Sequence, residues 1–256
     1  MSWTQVCYRY DGTYSGFLSC VFHSYVDREE PVEFRTPEDM CVSLYPLRTV
    51  ETDEDHAKRV YRSFAKFGRE GQRLAVRCFL TSLPERELWL WRFLRLGYDL
   101  GPKIGLALTD PTVDKVRKAV QHLEHEAHQY TGFVRFSELD GALVGEIQPK
   151  DRVLPLLRPH FCSRYPQERF VLHDRTHGEA LFHRPGPQGW AILPVEDFRM
   201  GPAGAEELAY RTLWRTFYDT IAIEGRRNPK CRMTNMPKHY WAMMTEFQKD
   251  WDTALL

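Results

Sequence analysis

The plainest apolar pattern in the chain lies at its middle. Val113, Val116, Val120, Leu123, Ala127 and Tyr130 recur at three- and four-residue intervals, which is one face of a helix. Asp110-Pro111 supplies a capping carboxylate and a proline at the first helical position, and Gly132 is the predicted stop. The period then shortens to that of strands on either side of Asp140-Gly141, a pair that favours a two-residue hairpin turn because both residues tolerate positive φ. That turn predicts Leu139 opposite Ala142 and Arg135 opposite Glu146. It also puts Val134, Phe136, Leu143, Gly145 and Ile147 on the core side. Residues 153–165, with Pro155 and Pro159, read as a short or broken helix. Residues 169–173 and 179–183 then read as a second hairpin closed by the polar stretch from Asp174 to Gly178.

The flanks carry weaker patterns. Residues 5–10 read as a strand, turned at Asp11-Gly12-Thr13 into a helix bearing Phe17, Leu18, Val21, Phe22 and Tyr25. That turn lacks a full glycine-rich phosphate pattern, so a capped helix start is the reading favoured. Residues 27–55 read as loop. From His56 a basic stripe (Lys58, Arg62, Lys66, Arg69, Arg73, Arg77) runs beside an apolar one, and Gly68 and Gly71 divide it into two helices. Such stripes are most often solvated faces. Pro84 opens a further helix whose predicted end is Gly97. Past Trp190, residues 194–204 read as a linker and residues 206–224 as an amphipathic helix. From Arg226 to Lys238 there are five Lys or Arg and no Asp or Glu, and Pro229 and Pro237 predict an irregular loop there.

Together these elements predict an α+β fold: a small antiparallel sheet built from two β-hairpins, packed with many helices. Three regions are expected, folded as one globular unit. Residues 1–110 form a strand and a mainly helical part, 111–192 a helix-hairpin-helix-hairpin core, and 205–256 C-terminal helices with the basic loop.

Charge and composition narrow the function classes. The 35 Lys and Arg balance 35 Asp and Glu, so contact with a nucleic acid has to come from local patches. Six cysteines without a Cys-x-x-Cys pair point to reduced thiols in a cytoplasm, and away from an iron–sulfur cluster or zinc ribbon. No apolar run reaches membrane-spanning length, so no membrane partner is expected. His122, His125 and His128 stand three apart and lack the i, i+4 pair of a His-Glu-x-x-His helix; no metal and no cofactor are expected.

Two sets of candidate residues remain. His128 or His160 suits a general base, with Glu126 or Asp174 to orient it. Arg135, Arg164, Arg227, Asn228, Lys230 and Lys238 suit phosphate contacts, with Tyr240 or Trp241 beside a base. The plainer alternatives are a helix-capping histidine, a cross-strand ion pair for Arg135, and an Arg227 and Asn228 that staple their loop to the preceding helix.

Several motifs, in order, resemble one uncharacterised bacterial family, the domain of unknown function 4130, whose members are labelled DNA-metabolism or DNA-repair proteins. They are Tyr10-Asp11-Gly12-Thr13-Tyr14-Ser15-Gly16-Phe17-Leu18, Glu126-Ala127-His128 with Gly132-Phe133-Val134-Arg135-Phe136, Pro159-His160-Phe161 with Arg164-Tyr165-Pro166, Ile223-Glu224 with Arg227-Asn228-Pro229, and Met236-Pro237-Lys238-His239-Tyr240-Trp241. The resemblance implies a radical-SAM repair protein as partner and, in other chains, fusion to a uracil-DNA glycosylase-like domain. His122 and His125, and the loop Arg175-Thr176-His177, depart from the family pattern. The reading that results is a DNA-binding accessory partner of a repair enzyme, acting on single-stranded DNA or damaged duplex. An enzyme with a histidine general base and a protein-interaction scaffold are the alternatives.

Overall fold

The computed structural model describes residues 3–40, 42–187, 189–195, 197–198, 201, 204–220 and 228–247. The chain divides into two compact units, residues 1–123 and 124–256. None of the described helices is long and apolar enough to cross a membrane.

The first unit is built on a three-stranded sheet in the order β2-β1-β3, with β1 Thr4–Arg9, β2 Glu29–Arg35 and β3 Leu47–Thr49 all parallel. The helix α1 (Tyr14–Val26) makes the crossover from β1 to β2, and Thr13 Oγ1 accepts from Gly16 N at its start. The predicted loop over 27–55 thus contains two strands. Pro31 hides β2 from a strand reading, yet proline is tolerated on an edge strand, where β2 lies. The helices α2 (Glu54–Ser63) and α3 (Gly68–Cys78) divide at Gly68, whose φ of +69° suits glycine. Within the basic stripe Arg73 is paired with Glu70, which also holds Arg117. The next helix, α4 (Arg86–Leu100), runs through the predicted stop at Gly97. That glycine is there because a Cβ would meet the Phe67 ring at 3.0 Å.

The helix α5 (Pro111–Phe133) begins as expected, with Asp110 Oδ1 accepting from Thr112 N and Val113 N, and its six periodic apolar residues are all buried.

The second unit holds five strands in the order β4-β5-β6-β7-β8. The hairpin of β4 (Phe136–Leu139) and β5 (Ala142–Ile147) turns at Asp140 (φ 50°) and Gly141 (φ 75°) with Leu139 opposite Ala142 as predicted, and its ladder stops at Phe136 and Gly145, one pair short of the predicted Arg135 opposite Glu146. Helix α6 (Leu154–Arg164) then carries the chain back, so that β6 (Phe170–Asp174) lies parallel to β5. Strands β7 (Glu179–His183) and β8 (Trp190–Pro194) complete the sheet in antiparallel fashion.

The expectation of a small antiparallel sheet from two hairpins is therefore corrected. One sheet is wholly parallel, and the other is mixed. The two hairpins exist, but the helix between them returns the chain to its starting end and makes their junction parallel. The run from Trp190 to Pro194, whose last residue opens the predicted linker, is an edge strand.

Phe136, Phe161, Tyr165 and Phe170 form the ring cluster between sheet and α6. Gly145, opposite Phe136, leaves room for it: a Cβ there would lie 3.1 Å from the ring. Helix α7 (Ala205–Thr220) is bonded to the edge strand β4 through two side chains. Glu207 Oε2 accepts from Glu138 N, and Arg211 donates to Ser137 Oγ and Glu207 Oε1. The predicted irregular basic loop is corrected in part: residues Pro229–Asn235 form helix α8, with Pro229 at the first position, where its missing N–H costs nothing.

Candidate functional site

The second unit presents three places where polar or aromatic side chains gather. The first is the carboxyl end of β5 and β6. Glu126, buried on α5, accepts from Lys150 N (2.9 Å) and Asp151 N (2.8 Å), the two residues that follow β5 closely. Asp174, fully buried at the end of β6, accepts from Thr176 N and His177 N, and its Oδ2 lies 2.6 Å from His177 Nδ1. Arg152 pairs with Glu179, and His173 Nδ1 approaches Glu146 Oε1 across the β5–β6 register at 3.5 Å, long for a hydrogen bond. Glu126 and Asp174 both press on the buried Tyr130: burial first, then these negative charges, raise its phenol well above the ordinary range. Burial and then Glu126 likewise push Tyr240 up to about 12.

The second place is the opposite end of the same sheet. Register aligns Leu143, Phe170, His183 and Trp190 across β5 to β8. Helix α6 delivers Arg164 and Tyr165 to this end, just before β6. The Arg158 guanidinium lies 4.3 Å from the centre of the half-exposed Trp190 ring, and Arg164 lies 5.7 Å from that of Tyr165. Arg169 and Arg184, both exposed, flank Phe170 and His183. Glu168 and Asp140 are the acids nearby in sequence, and among the described residues neither Arg158 nor Arg164 is paired with a carboxylate. In the first unit Arg95 is also laid on rings, those of Trp3 and Trp91.

The third place is α7. Its inward face is clamped to β4, and Arg135, just before β4, donates from Nη1 to Gly132 O and Val134 O while its guanidinium lies 5.9 Å from the Trp214 ring centre.

The residues expected to carry function divide among these places. Glu126 and Asp174 share the first. Neither expected base joins them: His128 is exposed on α5, and His160 sits on α6 with its Nε2 buried and without a hydrogen-bond partner among the described residues. At this end the histidine that a carboxylate holds most closely, among the described residues, is His177, which the sequence offered only as part of a loop. Arg164 is in the second place and Arg135 in the third. Tyr240 is buried against Tyr130 and Phe133 at 4.9 Å from each. Trp241 donates to Met236 O and stacks on Phe247. Asn228 Oδ1 accepts from Cys231 N and so caps the start of α8, which is not the expected staple to the preceding helix, while Lys230 and Lys238 are exposed. Arg227 lies outside the described residues. The two cation–π partners that reading the sequence missed, Trp190 and Trp214, carried a signal in their type alone, since a tryptophan beside turn residues or on a helix is commonly core.

Comparison with known proteins gives a family and little else. The model of the domain of unknown function DUF4130 matches residues 84–246. No curated protein matches the chain. Among solved structures, the chain is similar to a pGpG-specific phosphodiesterase, PggH, from Vibrio cholerae, at 10% identity and a TM-score of 0.36 over 86% of this chain and 100% of that one, a likeness too loose to transfer fold or function.

Proposed function

Since the chain belongs to the DUF4130 family, whose function is open, we propose that it is a DNA-binding accessory protein of DNA repair, holding a strand at the basic end of its second-unit sheet. The observation that carries this reading is the pairing of Arg158 with Trp190 and of Arg164 with Tyr165. A guanidinium laid on a ring keeps its charge and its donors for a phosphate, whereas one spent on a carboxylate does not. With Arg169 and Arg184 beside them, four cations line this end. Contacts of this kind position a backbone without reading its sequence, so weak sequence preference is expected. A radical-SAM repair protein is the partner that goes with this reading. Fluorescence anisotropy with labelled single-stranded and lesion-bearing duplex oligonucleotides at low salt tests the proposal, and a flat signal at micromolar protein removes it.

A second reading rests on Asp174 and His177. A buried carboxylate on Nδ1 fixes the imidazole and leaves Nε2 as a base, the logic of hydrolytic triads. In an enzyme acting on damaged DNA, the base is then His177 and not His128 or His160. Loss of turnover on lesion-bearing duplex in His177→Ala, with binding retained, is the outcome this reading requires.

A further inference from the structure

We infer that the outward face of α7 is a base-stacking platform for single-stranded DNA, an inference that rests on the DNA-binding reading above and gives it a strand preference. On this helix Tyr210, Leu213, Trp214 and Phe217 stand at i, i+3, i+4 and i+7, which is one stripe, and they are 60%, 65%, 41% and 50% exposed. The other face is fastened to β4 through Glu207 and the buried Arg211, and Arg215 Nε donates to Thr245 O. A contiguous apolar stripe on a fastened helix marks a contact surface, where scattered single residues would not.

The make-up of the stripe selects the occupant. Three of its four side chains are rings. Trp214 and Phe217 lie 5.6 Å apart at an interplanar angle of 27°, so they present near-parallel π faces. Arg135 sets a positive charge over Trp214. Rings with an adjacent guanidinium match unpaired bases followed by phosphates, and they tolerate any sequence because every base has a π face. Duplex bases are already stacked on one another and offer no such face. Tyr240 and Trp241, the aromatics expected to meet a base, are occupied within the fold, and α7 takes that role.

The test measures the affinity of the full chain for a labelled oligothymidine and for a duplex of equal length, in wild type, Trp214→Ala/Phe217→Ala and Trp214→Phe. The expected result is a loss of about tenfold or more on the single strand in the double variant, set against a change within about twofold on the duplex, and near-wild-type binding in Trp214→Phe. Thermal unfolding of each variant, unchanged because the side chains removed are exposed, shows that the fold is kept. If wild type binds DNA and the double variant binds the single strand equally well, the platform is wrong while the DNA-binding reading stands. If wild type binds neither oligonucleotide, the reading fails and takes the platform with it. If wild type sediments as a dimer that the double variant dissociates, the face joins two copies of the chain and the platform is overturned.

Discussion

The two ends of the second unit's sheet use charge in opposite ways. At the carboxyl end of β5 and β6 the charges are turned on one another or on the main chain: Glu126 on two amides, Asp174 on two amides and His177, Arg152 on Glu179. At the other end Arg158 and Arg164 are backed by rings. A buried carboxylate with its acceptors filled holds loops in place and pays a large penalty if disturbed. An exposed guanidinium on a ring contributes little to the fold and remains available to an anion. The lesson is that residue type alone does not separate function from stability; the partner of each charge does.

The two ends separate most clearly at Asp174. Asp174→Ala strips three donors of their acceptor and is expected to lower unfolding stability by about 3 kcal/mol, read as a shift of the urea midpoint, while leaving the affinity of the folded protein for DNA unaltered. A change under about 1 kcal/mol would mean that the dyad is not structural. Glu126→Ala leaves Lys150 N and Asp151 N without acceptors and is expected to cost about 2 kcal/mol by the same measurement.

At the basic end the expectation reverses. Arg158→Ala changes stability by less than about 1 kcal/mol but weakens DNA binding several-fold, nearly equally for all sequences. Stability loss without affinity loss would place Arg158 with the structural charges. The smallest effect is in pH. Burial works to raise the Glu207 carboxyl, but hydrogen bonds from Arg211, Ser137 and Glu138 N hold it below the ordinary range. A depressed folded-state pKa adds stability above the unfolded value that is lost as pH falls through the folded one. The stability difference between wild type and Glu207→Gln therefore shrinks on acidification below the ordinary glutamate range, and a difference that is flat or widens there contradicts the pairing.

What the sequence made legible was local. The α5 stripe, its Asp110 cap and the Asp140-Gly141 turn each depend on residues a few positions apart, and each stands as expected. The parallel pairing of β5 with β6 depends on where α6 sends the chain, and the strand nature of β2 and β8 depends on neighbours far away in sequence, so period and propensity missed them. The same holds for the candidate site. Arg164 was visible as a cation, but Arg158 meets its ring on a strand some thirty positions later. Tyr240 looked like an aromatic ending a basic loop; its burial is set by Tyr130 and Phe133 on α5.

The salt dependence of wild-type DNA binding reads the role of the basic end most directly. With the four arginines of the basic end each neutralising a phosphate, a plot of log affinity against log salt for a single strand is expected to be linear with a slope of about −3, falling by roughly half in Arg158→Ala/Arg164→Ala. A slope near zero, or one that the double variant leaves unchanged, would contradict the claim that this end holds the strand.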